Sequence, residues 1–298
     1  MKYKSEVEGR GEIRCRVVAD SVSHNSVRLI TAELRYPRFI HAELMTHRVF
    51  SRNASSSRAI PVEKMLDVVE KDPATPVHWG KNQKGMQAHE ELTDYEQEIA
   101  RLQWREASRD AAAQARLLHH FGLHKQVVNR ITEPFQFINV LVTATEWDNW
   151  HKLRAHPDAQ PEIQELATIM EEAFFRSSPE YRDQGDWHLP YVSSIEKMKL
   201  GIDTALKCST ARCARVSYVT FDMKEPTVEN DLRLYEQLIV SEPQHASPAE
   251  HQAKPMSTDL RYNELFPYTW EPGITHIDRH KQHWSGNFRG WVQHRQLL

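Results

Sequence analysis

Thr46-His47-Arg48-Val49-Phe50-Ser51-Arg52-Asn53-Ala54-Ser55-Ser56-Ser57-Arg58 is the stretch on which the reading of this chain turns. It gathers hydroxyls, arginines, an amide and a histidine, and carries little apolar content after Phe50. Arginine presents a planar fork of donors and serine a short O–H donor, so the two together make a cradle for phosphate. By composition alone the same stretch also reads as a solvated Ser/Arg loop. The surrounding sequence separates the two readings.

Upstream, Val27, Leu29 and Thr31 alternate before Pro37, which predicts a strand over residues 25–36. Phe39, Ile40, Leu44 and Met45 have near-helical spacing, which predicts a short helix over residues 39–48. Downstream, residues 59–88 carry Pro61, Pro73, Pro76, Gly80 and Gly85 and read as a long loop. Thr93-Asp94-Tyr95-Glu96 is a capping box that opens a long helix to His120, stopped by Gly122. Residues 135–144 are aromatic and β-branched, hence a strand. Residues 145–148 open a helix that carries Asn149 and Arg154. Pro161 suits a first helical position, with the helix running to about Phe175. Residues 214–221 read as a strand or strand entry, and residues 227–240 as an amphipathic helix. The last forty residues, rich in Trp, His and Arg, show no clear period. Strands and helices interleave, so the class is α/β or α+β.

Three blocks carry a resemblance. The first is the opening stretch, similar to the R-H-R-x-x-S-x-N-x-x-S-x-R signature of flavin-dependent thymidylate synthases. His47, Arg48, Ser51, Asn53, Ser56 and Arg58 fall on its fixed positions. The second, residues 149–160, resembles the family's N-F-x-x-L-R-x-x-x-x-A-Q helix, with Asn149, Leu153, Arg154, Ala159 and Gln160. Read without the first block, Arg154 is an ordinary surface-helix arginine. The third is Ala214-Arg215-Val216-Ser217-Tyr218 with His245-Ala246-Ser247-Pro248-Ala249-Glu250-His251. It is similar to the family's A-R-V-S-[YF] and H-x-[ST]-P-F-E-H. In the family this pair precedes the R-H-R signature, whereas here it follows. The chain therefore looks like a circular permutant, which is feasible where termini lie close together. The implied architecture is a single α+β synthase-like domain over residues 1–298, with a mixed sheet and long helices. Residues 59–90 are an inserted loop and residues 256–298 a C-terminal extension. Residues 288–295 faintly echo the approach to R-H-R.

The resemblance implies transfer of a one-carbon unit from methylenetetrahydrofolate to C5 of a deoxypyrimidine monophosphate, dUMP to dTMP. FAD supplies the redox chemistry and NADPH recharges it. Catalytic roles pass to Arg154 and Ser56. His47, Arg48, Asn53, Asn149, Ser217, Ser247 and Glu250 face the flavin. Ser56, Arg58 and Arg154 bind the nucleotide. A homotetramer with sites shared between subunits is implied, with a cytoplasmic location. Departures surround the pyrimidine and the flavin: Thr46 replaces the first arginine, Ala54 an acidic residue and Ala59 a tyrosine, and Thr143 and Thr145 stand where N-x-R is common. These keep open dCMP as substrate, a hydroxymethyl product, and a nucleotide-binding protein without catalysis.

Composition agrees. The chain has 298 residues, 40% hydrophobic and 27% charged, enough apolar material for a packed core. No run approaches the roughly 18 apolar residues of a membrane span. Three cysteines are too few for a disulfide framework. A net charge of -3 argues against a nucleic-acid polymer as partner. With 10 glycines and neither a G-x-G-x-x-G nor a P-loop, phosphates fall to arginines, hydroxyls and helix ends. None of Cys15, Cys208 and Cys213 lies in a motif for attack on a pyrimidine, and a flavin route needs no such nucleophile. Cys208 and Cys213 are half a zinc site at most. His276, His280 and His283 would share a helix face for a metal, or else form a polar surface near Trp284. No metal is expected. Most of the 17 histidines have no role in this reading.

Overall fold

The computed structural model describes residues 3–218, 227–257 and 269–298. Strands β1 (Ser5–Glu8), β2 (Arg14–Ser23) and β3 (Arg28–Pro37) lead through a short turn into α1 (His41–Leu44) and β4 (Ser51–Ala54). Then come α2 (Val62–Lys71), α3 (Asp94–His120), α4 (Lys125–Val128) and β5 (Phe137–Ala144). The chain continues through α5 (Asp148–Arg154), α6 (Pro161–Arg176), β6 (Glu180–Arg182), α7 (Ser194–Leu200), α8 (Ile202–Tyr218) and α9 (Val228–Tyr235). Short strands follow: β7 (Ala253–Pro255), β8 (His276–Ile277), β9 (His283–Ser285), β10 (Phe288–Arg289) and β11 (Trp291–Gln293). The main sheet has the order β1-β2-β3-β5-β4 and is antiparallel except for β6, which pairs parallel with the far end of β2. The class is α+β.

Alternation along the strands explains the layers. Ile30, Ala32, Leu34 and Tyr36 of β3 and Ile138, Val140 and Val142 of β5 point to one face. There α6 covers them with Ile163, Leu166, Met170, Ala173 and Phe174. On the other face Leu141 meets Cys213 and Val216 of α8. β5 is covered on both sides, which is why its sequence is a near-continuous apolar run rather than an alternating one. α3 buries only Ser108, Ala112 and Ala115. Its alanines let Val62 and Leu66 of α2 approach closely.

Several sequence expectations hold. The strands at β3 and β5, the short α1 and the α6 start at Pro161 are all present. The capping box of α3 is complete, and Gly122 takes φ 84° after it, a left-handed geometry that favours glycine. Thr93→Ala should cost about 1 kcal/mol, read as a lower urea midpoint at unchanged slope. Two expectations are corrected. Residues 214–218 continue helix α8, because Cys213 and Val216, one turn apart, pack on Leu141 of the sheet while Ala211 packs against Tyr235 of α9. The remainder of that call, residues 219–221, lies outside the described residues. Residues 59–88 are not loop throughout, since α2 occupies residues 62–71 with Val62, Met65, Leu66 and Val69 turned inward.

Candidate functional site

The signature stretch leaves α1, turns at His47 and enters β4 beside β5, with Ser51 opposite Thr143 and Asn53 opposite Leu141. His47 is 6% exposed, stacked on Phe50 and edge-on to Trp150 of α5. α5 brings Arg154 to it. Arg154 Nε donates to His47 Nε2 at 3.0 Å, Nη1 meets Glu43 Oε2 at 3.2 Å, and Nη2 donates to Thr46 Oγ1 at 3.1 Å. Arginine has only donors, so His47 accepts at Nε2 and its neutral ring carries the proton on Nδ1. Burial, then the charges of Arg154 and Arg52, lower His47 to about 4. Thr46 therefore gives Arg154 an oxygen acceptor at the position where the signature has a like charge.

Arg154 and Glu43 line a cavity of about 780 Å³. Phe39, Trp104 and Pro134 give it an apolar wall, and residues from Pro76 to His89 form another side. Glu162 pins that segment by accepting from Val77 N at 2.8 Å, and its burial raises its own pKa. The supposed insert is thus, in part, wall of the Arg154 cavity. Ser56, Arg58, Ser217, Ser247 and Glu250 do not line this cavity.

Ser56, Ser217 and the Ser247–Glu250 turn meet elsewhere, around β4. Asn53 Nδ2 donates to Cys213 O at 3.4 Å, and Ser56 N donates to Ser217 O at 3.4 Å, which ties the signature to the end of α8. The turn Ser247–Glu250 packs against β4 and α8. The tail secures it: Gln293 Nε2 reaches Ser51 Oγ and Glu250 O, each at 3.0 Å, and Arg295 pairs with the Glu250 carboxylate. The extension is thereby part of the site, through β11 pairing with β7. Arg48, Arg58, Asn149 and Ser247 are exposed. His276 and His283 lie on the strands of a hairpin and His280 in its turn, so no helix face unites them. Among the described residues no group of His, Cys, Asp or Glu is arranged to hold a metal.

The sequence reading missed Glu43, Gln293 and the buried histidines. Glu43 lies one helical turn before His47, which is the only local signal it carries. His41 and His294 are lowered to about 4 and His188 and His251 to about 3, with burial the largest cause in each. Unfolded histidine protonates near 6.5, so between there and about 4 the unfolded chain binds more protons than the folded one. Stability then rises with pH across that window. Falling urea midpoints from pH 7 to pH 5 are expected, and a flat profile would contradict these environments.

The edge strand β4 thus carries an Arg/Ser/Asn cluster beside His47, and a cavity of about 780 Å³ lined by Arg10 and Arg154 lies near it. The family described as thymidylate synthase complementing protein matches residues 23–180, more than half of the chain. The chain belongs to that family, the flavin-dependent thymidylate synthases, and is an enzyme. The match includes the first two blocks and ends before the third. No curated relative matches the chain. Among solved structures the chain is similar to a UMP/dUMP methylase, PolB, from Streptomyces cacaoi. With 5-Br UMP bound there, identity is 19%, covering 57% of this chain and 92% of that one, at TM-score 0.43. With 5-Br dUMP bound there, identity is 18%, covering 57% and 93%, at TM-score 0.46.

Proposed function

We propose that the chain transfers a one-carbon unit from methylenetetrahydrofolate to C5 of a deoxypyrimidine monophosphate, with dUMP as substrate and dTMP as product. The observation that carries this is the meeting of Arg154, which lines a cavity of about 780 Å³, with Thr46 and His47. Two sequence blocks about a hundred residues apart, singled out separately, converge there. Arg154 holds the pyrimidine through its donors and stabilises negative charge that develops on the ring. His47, neutral and wedged between Phe50 and Trp150, fixes the guanidinium plane.

The residues around β4 fit FAD. Arg48 and Ser247 are exposed and Ser217 partly so, which leaves donors for a pyrophosphate and a ring edge. Asn53, Asn149, His47 and Glu250 complete the set. When bound, FAD supplies hydride chemistry and NADPH recharges it. Ser56 and Arg58 hold the nucleotide phosphate. Their separation from the Arg154 cavity within one copy supports sites shared between subunits of a tetramer. The third block, late in the chain but packed on β4, supports the permuted order and a single domain spanning residues 1–298.

The test incubates reduced, flavin-loaded protein and methylenetetrahydrofolate with dUMP, dCMP and UMP in parallel, and weighs the products. Mass separates methyl from hydroxymethyl. Protein that stays colourless with added FAD overturns the proposal. Arg58→Ala should weaken nucleotide binding about tenfold or more while leaving FAD affinity near wild type, since one charge-assisted phosphate contact is worth about 1.5–3 kcal/mol. Equal loss of both would contradict the division of roles.

A further inference from the structure

Five buried side chains from separate parts of the chain form one unbroken hydrogen-bonded row. Ser21 Oγ is 2.8 Å from His188 Nδ1, and His188 Nε2 is 2.8 Å from Thr31 Oγ1. Thr31 Oγ1 is 2.8 Å from Thr143 Oγ1, which is 2.8 Å from His251 Nδ1. All five are 1% exposed or less. The hydroxyl pair is built by the sheet, because Thr31 of β3 and Thr143 of β5 are cross-strand partners. At one end Ser21 borders a second cavity, of about 570 Å³, with Asp20, Glu180 and Arg182. At the other, His251 Nε2 is buried and has no hydrogen-bond partner among the described residues. His251 directly follows the Ser247–Glu250 turn on β4.

Proton counting restricts the row. Each hydroxyl has one proton to give, and each neutral imidazole one N–H. Only two arrangements fill every link without leaving a threonine hydroxyl proton buried and unpaired, which is costly. In the first, Ser21 donates to His188, His188 Nε2–H to Thr31, Thr31 to Thr143, and Thr143 to His251 Nδ1. His251 Nε2–H then points outward as a free donor. In the second, every bond is reversed and His251 Nε2 is a bare acceptor. Passing one proton along the row converts one arrangement into the other and leaves no net charge behind. The burial that keeps both rings neutral makes a charged stage costly, so the transfers are concerted.

We infer that this row is a proton path joining the cavity at Ser21 to the flavin ring bound against His251, an inference that rests on the flavin reading above. Reduction of a flavin by a reduced nicotinamide takes up a hydride and one proton. Donation of the hydride onward releases one proton. In the first half His251 Nε2 gives up its proton, and one enters at Ser21 from cavity water. In the second half His251 Nε2 takes a proton back, and Ser21 releases one. The two halves use opposite arrangements, so each resets the other.

The coupling is tested without flavin. In protein labelled with ¹⁵N-histidine, the two rings should share one tautomer, both Nε2–H or both Nδ1–H. Ser21→Ala at the far end should shift the His251 signals, and adding Thr31→Val should abolish that shift. His251 signals indifferent to Ser21→Ala overturn the inference. With FAD bound, Thr31→Val should slow flavin reduction by reduced nicotinamide by about 10²-fold, and Thr31→Ser should restore it. Circular dichroism and FAD affinity, both unchanged, separate this from misfolding. If Thr31→Val turns over like Thr31→Ser, the path is not used and the inference fails. If wild-type protein takes up no FAD, the flavin reading fails, and with it the inferred destination of the proton. The tautomer measurement still reports whether the row is coupled.

Discussion

Replacing Arg154 with alanine is expected to lower kcat/KM for C5 transfer by about 10²–10³-fold, the usual loss when one preorganised donor to developing charge is removed. The geometry explains why no neighbour compensates. Arg10, which also lines the cavity, is committed to Glu165, whereas Arg154 holds Glu43, Thr46 and His47 in register through three different nitrogens. Its loss strands the Glu43 carboxylate and leaves His47 Nε2 without its donor. Arg154→Lys should recover little, because an ammonium has no planar fork to span these acceptors. Mixing the impaired Arg154→Ala and Arg58→Ala proteins, at nucleotide too dilute to saturate either, adds a second readout. Sites built from several copies regain activity in mixed oligomers, whereas sites built within one copy do not. Recovery after subunit exchange is the expected result.

Asp231→Ala is expected to cost about 3–5 kcal/mol of folding stability, the penalty for breaking a buried charge cluster from one side. Asp231 is fully buried. Its Oδ2 accepts from Arg212 Nε at 2.8 Å, and its Oδ1 from Arg215 Nε and Nη2 at 3.1 and 2.9 Å. Arg212 also holds Glu196 of α7 and the Tyr191 carbonyl. The cluster joins α7, α8 and α9, and α8 presents Ser217 to Ser56. Removing the aspartate leaves two guanidiniums facing each other with the Glu196 carboxylate alone. Asp231→Asn, which keeps an acceptor and the shape, should cost distinctly less. A urea midpoint for the alanine variant within about 0.5 kcal/mol of wild type would show that solvent reaches the cluster freely.

Arg215 shows how far a motif can be read. It matches the A-R-V-S-Y pattern, and the structure commits its side chain to Asp231, sixteen residues on. The type of residue was legible, but its partner was not, because contacts between separate helices depend on packing that no spacing encodes. Residues 214–218 read as strand or strand entry yet belong to α8, for a related reason. Cys213, Ala214 and Val216 are apolar by either period, and only the sheet beneath α8 selects the helix.

The histidine surplus yields to the same argument. His41 bonds Tyr36, His47 receives Arg154, and His188 and His251 bond threonines inside the sheet. Each is a neutral ring, half-buried at His41 and buried at the other three, used as a polar connector. In sequence, nothing distinguishes them from the exposed His119 and His120.

The ordered sequence by itself determined the family, through the order of residues from His47 to Arg58 and the recurrence of the second block at Asn149–Arg154. It also determined the elements whose signals are local: the capping box at Thr93, the proline at the start of α6 and the apolar run of β5. Local signals survive because dihedral preference and periodicity act within a few residues. Only the tertiary structure decided that residues 76–89 wall the Arg154 cavity, that the C-terminal tail stitches Glu250 to Ser51, and that Thr31 and Thr143 link two buried histidines. Those are contacts between residues far apart in the chain. They exist because strand register and helix packing bring them within bonding distance, and burial makes an unpaired partner costly.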